Sequence, residues 1–102
     1  MRLEDLVKTI NARAEADPSE SWTAKLLSQG PEKCAEKFGE EAIELIVASV
    51  KKKKKEIISE AADALYHMCV LLRSKNISIE EVLSELVSRE GVSGIEEKRK
   101  RN

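Results

Sequence analysis

The sequence predicts an all-α fold, a single bundle of about four to five helices. The chain has 102 residues, which is enough for one modest hydrophobic core and too short for two independent domains. Only four Gly and two Pro are present, and long stretches free of both favour helices over strands with their many turns. A core this small makes dimerisation an attractive way to bury more surface.

The first half of the chain contains three predicted helical segments. Apolar residues recur at steps of three and four over 3–14, which predicts an amphipathic helix that stops before Pro18. A short segment follows and ends at Gly30. Pro31 suits the first position of a long helix, because the missing N–H of proline costs nothing there. That helix should run to about Val50.

Two further helices are predicted in the second half. A run of five lysines interrupts the apolar pattern, and a second long helix should occupy roughly 56–74. Ser78 and Glu81 have the spacing of a capping box, which starts a last helix. Gly91 should end that helix. The charged segment 92–102 is expected to be loosely ordered or docked on a partner.

The balance of charge excludes several classes of partner. Eighteen basic and nineteen acidic side chains leave a formal charge of −1, so the molecule has no overall field that would draw it to nucleic acid or to anionic lipid. The longest uncharged run, 64–72, is far short of a membrane span, and the charged N-terminus is unlike a secretory signal. A cytoplasmic protein is therefore expected, with no nucleic-acid or membrane partner.

The two cysteines indicate neither a disulfide framework nor a zinc site. Cys34 and Cys69 are far apart in sequence and form no Cys-x-x-Cys pair. Both lie among apolar helix residues, where a free cysteine behaves as a small hydrophobic side chain. They are expected to be reduced and buried in the core.

Acidic side chains on the two long helices are the candidate chemistry. On the first, charged residues form one stripe, which alone would be a solvated face. The second reads as apolar on nearly every side over 61–72 and yet contains Asp63. Such a helix is expected in a bundle interior, where an unpaired carboxylate costs several kcal/mol. Asp63 should therefore be paired, protonated or bound to a cation.

A cation is the best fit because each helix offers two carboxylates three residues apart. These pairs are Glu41 with Glu44 and Glu60 with Asp63, and antiparallel packing would bring all four together. Ligation by oxygen alone favours Mg²⁺ or Mn²⁺ over Zn²⁺. Bound Mg²⁺ keeps several waters and is usually completed by substrate phosphates. The pattern thus predicts a phosphate-bearing substrate.

The same residues carry a resemblance to a known family. Glu-x-x-Glu, fifteen intervening residues and Glu-x-x-Asp resemble the metal signature of the MazG-like all-α nucleotide pyrophosphohydrolases. The surroundings resemble the phosphoribosyl-ATP pyrophosphohydrolases of histidine biosynthesis in particular. The matching segments are Trp22-Thr23-Ala24-Lys25-Leu26-Leu27, Gly30-Pro31, Lys37-Phe38-Gly39-Glu40-Glu41-Ala42-x-Glu44 and Glu60-Ala61-Ala62-Asp63-Ala64-Leu65-Tyr66-His67.

The resemblance implies a MazG-like homodimer that hydrolyses phosphoribosyl-ATP to phosphoribosyl-AMP and pyrophosphate, with Mg²⁺ on the four carboxylates. It makes Glu40 the candidate that orients or deprotonates the attacking water, the alternative being an outer ligand or a solvated carboxylate. Lys25 and Lys37 would bind phosphate, the alternative being plain surface lysines. The chain has no room for a fused cyclohydrolase domain, so the phosphoribosyl-AMP cyclohydrolase that follows is expected to be a separate protein.

The sequence allows two interpretations for each of three aromatic side chains, His67, Tyr66 and Trp22. His67 hydrogen-bonds either the carboxylate of Asp63 or a backbone carbonyl. Tyr66 and Trp22 are interpreted as anchors of the core or of a dimer interface rather than as platforms for the base. Two rival functions also stay open, namely a MazG-like enzyme that acts on free nucleoside triphosphates and a non-catalytic helical dimerisation module.

Overall fold

The computed structural model describes residues 1–51, 53–91, 98 and 99. The described residues contain five α-helices and no strand, which confirms the all-α prediction. The helices are α1 (Leu3–Ala14), α2 (Trp22–Ser28), α3 (Pro31–Lys51), α4 (Lys54–Ser74) and α5 (Ile79–Ser88). Apart from Lys98 and Arg99, the tail over 92–102 lies outside the described residues, so the prediction about it stays a prediction.

Helices α3 and α4 form the frame of the molecule. Each has 21 residues, and they pack against each other more extensively than any other pair of helices described. A short connection joins them, so they run antiparallel. Helix α4 begins at Lys54, two residues earlier than predicted, because the Lys53 backbone N–H donates to a Glu56 carboxylate oxygen at 3.2 Å and caps the helix there.

The hydrophobic core lies at one end of the α3/α4 pair. Its buried members come from all five helices, namely Ile10, Leu26, Cys34, Cys69, Val70 and Ile79. Both cysteines are free and buried, as predicted. Helices α1, α2 and α5 therefore cover the N-terminal end of α3 and the C-terminal half of α4.

The capping box predicted for the last helix is confirmed. The Ser78 hydroxyl accepts a hydrogen bond from the Glu81 backbone N–H at 3.2 Å. In return, the Ser78 backbone N–H donates to a Glu81 carboxylate oxygen at 2.7 Å. Two donors that a helix start would otherwise leave unsatisfied are thus paired. Gly91 follows α5 with a φ of 81°, a backbone conformation that favours glycine.

The other end of the α3/α4 pair leaves apolar side chains uncovered. On α3, large aliphatic residues three and four apart form an exposed stripe, and α4 carries a similar one. We call these two stripes the α3/α4 apolar face; it consists of Ile43, Ile46, Val47, Val50, Ile58, Ala62 and Leu65. No helix in the described parts of the chain is both long and apolar enough to cross a membrane.

Candidate metal centre

Three carboxylates from the two long helices meet between the core and the α3/α4 apolar face. Glu41 on α3 and both Glu60 and Asp63 on α4 each offer one oxygen, and these three oxygens lie within 4.8 Å of one another. Glu60 and Asp63 share a face because they are three residues apart on a helix. The packing of α3 on α4 adds Glu41. We call this group the carboxylate cluster.

Glu44, the fourth predicted ligand, lies beside the cluster. The pKa of the Glu41 carboxyl is raised above its ordinary value, first by burial and then by a hydrogen bond with Glu44 and by its charge. The charge of Asp63 raises the Glu41 pKa further, whereas that of His67 lowers it. The structure therefore brings all four predicted acidic residues together, with three oxygens within 4.8 Å of one another and Glu44 beside Glu41.

The ring of His67 is hydrogen-bonded to a backbone carbonyl rather than to a carboxylate. Its Nδ1 donates to the carbonyl oxygen of Asp63 at 2.9 Å. Its Nε2 is buried and has no hydrogen-bond partner among the residues described. The neighbouring Tyr66 packs edge-on against the His67 ring at 4.9 Å, and its hydroxyl hydrogen-bonds the Thr23 hydroxyl. Tyr66 thus ties α4 to α2, as expected of an anchor, and holds the histidine next to the cluster.

Glu40 and the two predicted phosphate-binding lysines lie on the adjacent surface. The Lys37 ammonium forms an ion pair with Glu40 at 3.0 Å. The hydrogen bond and charge of Glu40 raise the pKa of Lys37, and the charge of Glu41 adds to this. The ammonium groups of Lys25 and Lys37 each lie 5.9 Å from the centre of the Trp22 ring. The two lysines, which come from α2 and α3, thus meet at one indole.

Comparison with known proteins bears on what this arrangement does. The sequence profile of a family described as phosphoribosyl-ATP pyrophosphohydrolase matches residues 3–90. The chain is 57% identical over 96 residues to a phosphoribosyl-ATP pyrophosphatase of Ruegeria pomeroyi, covering 94% of this chain and 91% of that protein. It is 58% identical over 99 residues to the enzyme so named in Dinoroseobacter shibae, covering 97% of each chain. The chain belongs to the phosphoribosyl-ATP pyrophosphohydrolase family.

The burial that the sequence predicts for Asp63 is wrong. Asp63 was expected inside the bundle, surrounded by apolar side chains, but it is exposed, as are its neighbours Ala62 and Leu65. The physical reason is that α1, α2 and α5 cover only the C-terminal half of α4. Asp63 therefore meets Glu41 and Glu60 at the surface of the single chain.

Trp22 is the site residue whose position the sequence did not indicate. With 48% of its surface exposed it is not an anchor of the core, whereas its interpretation as an anchor of a dimer interface stays a prediction. Its contact with Lys25 follows from a spacing of three residues on α2. Its contact with Lys37 depends on how α2 turns into α3, which no sequence pattern of this chain specifies.

The chemistry of the carboxylate cluster fits a hard divalent cation. The donors are oxygens only, which is the ligand set that Mg²⁺ and Mn²⁺ prefer. Like charges this close disfavour ionisation, and the raised pKa of Glu41 reflects that in part. A bound cation would remove this repulsion.

A cleft among the described residues lies away from the carboxylate cluster. It has a volume of about 590 Å³ and is formed by α1, the C-terminal end of α4 and the start of α5. None of the predicted site residues lines it. The carboxylate cluster, in which Glu41 and Glu60 are half-buried and Asp63 is exposed, instead lies next to the α3/α4 apolar face.

Proposed function

We propose that this chain hydrolyses phosphoribosyl-ATP to phosphoribosyl-AMP and pyrophosphate, the second step of histidine biosynthesis, in the cytoplasm. Family membership supports the reaction. The carboxylate cluster supports the assignment of the reaction to particular residues. In it Glu41, Glu60 and Asp63 bring three oxygens within 4.8 Å of one another.

In this proposal Glu41, Glu44, Glu60 and Asp63 hold Mg²⁺, with Mn²⁺ as an alternative. A bound divalent cation polarises the phosphoryl group and offsets its charge. The four carboxylates would provide the fixed position for it, and hydrolysis by water breaks the bond between the α and β phosphates, which releases pyrophosphate and phosphoribosyl-AMP. The ring of His67 supports the arrangement by holding the Asp63 backbone.

Lys37 and Lys25 bind the phosphates in this proposal, and Glu40 orients the attacking water. The Lys37 ammonium, which is protonated at neutral pH, donates to phosphate oxygens together with Lys25. Charge that develops on the leaving pyrophosphate is thereby stabilised. When Lys37 turns to the phosphate, the Glu40 carboxylate loses the ion pair at 3.0 Å and accepts a hydrogen bond from the attacking water instead.

We further propose that the active form is a homodimer in which a second copy covers the α3/α4 apolar face. Ile43, Ile46, Val50 and Ile58 are each about 60% exposed or more, and a contiguous apolar patch of this kind marks an interaction surface. The face borders the carboxylate cluster on the same two helices. A second copy would therefore enclose a site that the single chain leaves open.

Incubation with phosphoribosyl-ATP tests the proposal. We expect Mg²⁺-dependent release of intact pyrophosphate and of phosphoribosyl-AMP, and no release in EDTA. A panel of free ribo- and deoxyribonucleoside triphosphates is the matched control. A higher kcat/KM on a free triphosphate would favour the related MazG-like activity. No turnover of any nucleotide would favour a non-catalytic dimerisation module.

A further inference from the structure

The only tryptophan of the chain occupies an unusual position for so large an apolar side chain. Trp22 is the first residue of α2, directly after Ser21, whose hydroxyl accepts a hydrogen bond from the Ala24 backbone N–H at 3.1 Å. The next residues, Thr23 and Ala24, are buried, with 1% and 4% of their surface exposed. The helix start is therefore fixed, and it holds a half-exposed indole at the surface.

Two positive charges meet at this indole. The ammonium groups of Lys25 and Lys37 each lie 5.9 Å from the ring centre, which is at the outer limit of a cation–π contact. The two ammoniums are thus no further apart than twice that distance. The negative face of the ring attracts both ammoniums.

The charge pair is continuous with the carboxylate cluster. Lys37 is bonded to Glu40, and the charge of Glu41, a member of the cluster, also acts on its pKa. An anion with several charges that reaches across this surface would meet the lysines on one side and, on the other, a cation held by the cluster. The diphosphate part of a nucleoside triphosphate has that chemistry.

We propose that Trp22 is a positioning residue that holds Lys25 and Lys37 together as a preassembled binding site for the pyrophosphoryl group of the substrate. Binding then draws the two ammoniums from the ring to the phosphate oxygens. The indole contributes to substrate affinity through the lysines, without stacking on the base. This inference rests on the proposed function for the identity of the substrate, but the binding of pyrophosphate itself needs no turnover.

The fluorescence of Trp22 tests the proposal without catalysis, since the chain has no other indole. We expect inorganic pyrophosphate, added with Mg²⁺ present, to change the emission saturably. Lys25→Met and Lys37→Met should each weaken this binding about tenfold, as loss of one charge-assisted hydrogen bond does. Lys33→Met is the matched control: Lys33 lies one turn before Lys37 on α3 and pairs with Glu36 at 3.3 Å, so this variant should bind like the parent.

Kinetics with phosphoribosyl-ATP distinguishes a positioning role of Trp22 from a purely structural one. Trp22→Leu should raise KM about tenfold and change kcat little, because two weak cation–π contacts are lost. Trp22→Phe keeps an aromatic face and should recover most of the affinity. If Trp22→Leu fails to fold, Trp22→Met, which also lacks an aromatic face, gives the same test and should raise KM by a similar factor.

An active enzyme whose emission does not respond to pyrophosphate would overturn this inference and leave the proposed function intact. The inference also fails if Lys33→Met weakens pyrophosphate binding as much as Lys37→Met. Conversely, a parent protein that binds pyrophosphate at Trp22 but does not hydrolyse phosphoribosyl-ATP would refute the proposed function alone.

Discussion

The two halves of α4 both carry apolar residues but have opposite surroundings. In the C-terminal half, Cys69 and Val70 are buried under α1, α2 and α5. In the N-terminal half, Ile58 and Asp63 are exposed. The comparison teaches that an apolar pattern along a helix does not say how far the other helices of the chain cover it.

The two halves also differ in what they contribute to stability. Burial of a side chain such as Val70 stabilises the fold by roughly 1.5–3 kcal/mol. The N-terminal half instead holds Glu60 and Asp63 close to Glu41, and like charges at such distances destabilise the folded state. Stability is concentrated at one end of the α3/α4 pair and the proposed chemistry near the other.

The largest expected effect comes from removing a member of the carboxylate cluster. Asp63→Asn and Glu41→Gln should each lower kcat at least about a hundredfold, because cation binding contributes several kcal/mol to catalysis. Steady-state kinetics with phosphoribosyl-ATP measures this. Glu32→Gln is the control, since Glu32 is exposed on α3 and lies outside the cluster. Near-normal kcat in both cluster variants would place the chemistry elsewhere.

The next effect concerns the α3/α4 apolar face. Ile46, which is 61% exposed, should be buried by a second copy, and Ile46→Glu would then place an unpaired charge in the interface at a cost of several kcal/mol. Light scattering should show a dimer for the parent and a monomer for the variant. Leu86→Glu on α5, where Leu86 is 55% exposed, should leave the mass unchanged. A monomeric parent would contradict the assignment of this face.

A smaller effect is expected from a substitution that changes the stability of the fold but not the site. Ser78→Ala removes the hydroxyl that caps α5 and should cost about 1 kcal/mol. For a domain of this size that is a fall in Tm of roughly 4–8 °C. Because Ser78 belongs to the core end of the molecule, kcat should stay the same. A large loss of kcat in a folded Ser78→Ala variant would show that the two ends are coupled.

The smallest expected effect is the dependence of Tm on pH that Glu41 causes. Its pKa in the folded state is raised by burial and by Glu44, so its contribution to stability is present below the ordinary carboxyl pKa and is lost as pH rises through the raised value. In EDTA, the Tm of the parent should therefore fall more from about pH 4 to pH 7 than that of Glu41→Gln. Parallel Tm profiles would contradict the repulsion assigned to the cluster.

Much of the fold and part of the site follow from the sequence. Local signals mark the helices: the break before Pro18, Pro31 at a helix start and the capping box of Ser78 are all observed. The spacing of acidic residues on two helices also predicted that Glu41 and Asp63 would meet, because helical periodicity and a short connection constrain that meeting.

Other features depend on tertiary packing and could not be predicted. The exposure of Asp63 depends on how far α1, α2 and α5 extend over α4, which no local pattern records. The position of Trp22 between Lys25 and Lys37 depends on the turn from α2 to α3. His67 had two possible partners at similar distance along its helix, and only the folded backbone shows that the carbonyl of Asp63 is the one used.

Thermal melting with and without Mg²⁺ tests the central claim most directly, namely that the carboxylate cluster binds a divalent cation. At roughly tenfold excess over Kd, Mg²⁺ should stabilise the parent by about 1.4 kcal/mol, which is several degrees in Tm. Metal-free Asp63→Asn should melt at or above the metal-free parent, since one repulsion is relieved, and should lose most of the Mg²⁺-induced rise. A variant that melts clearly lower in EDTA and keeps the full Mg²⁺-induced rise would remove Asp63 from the metal centre and contradict the account.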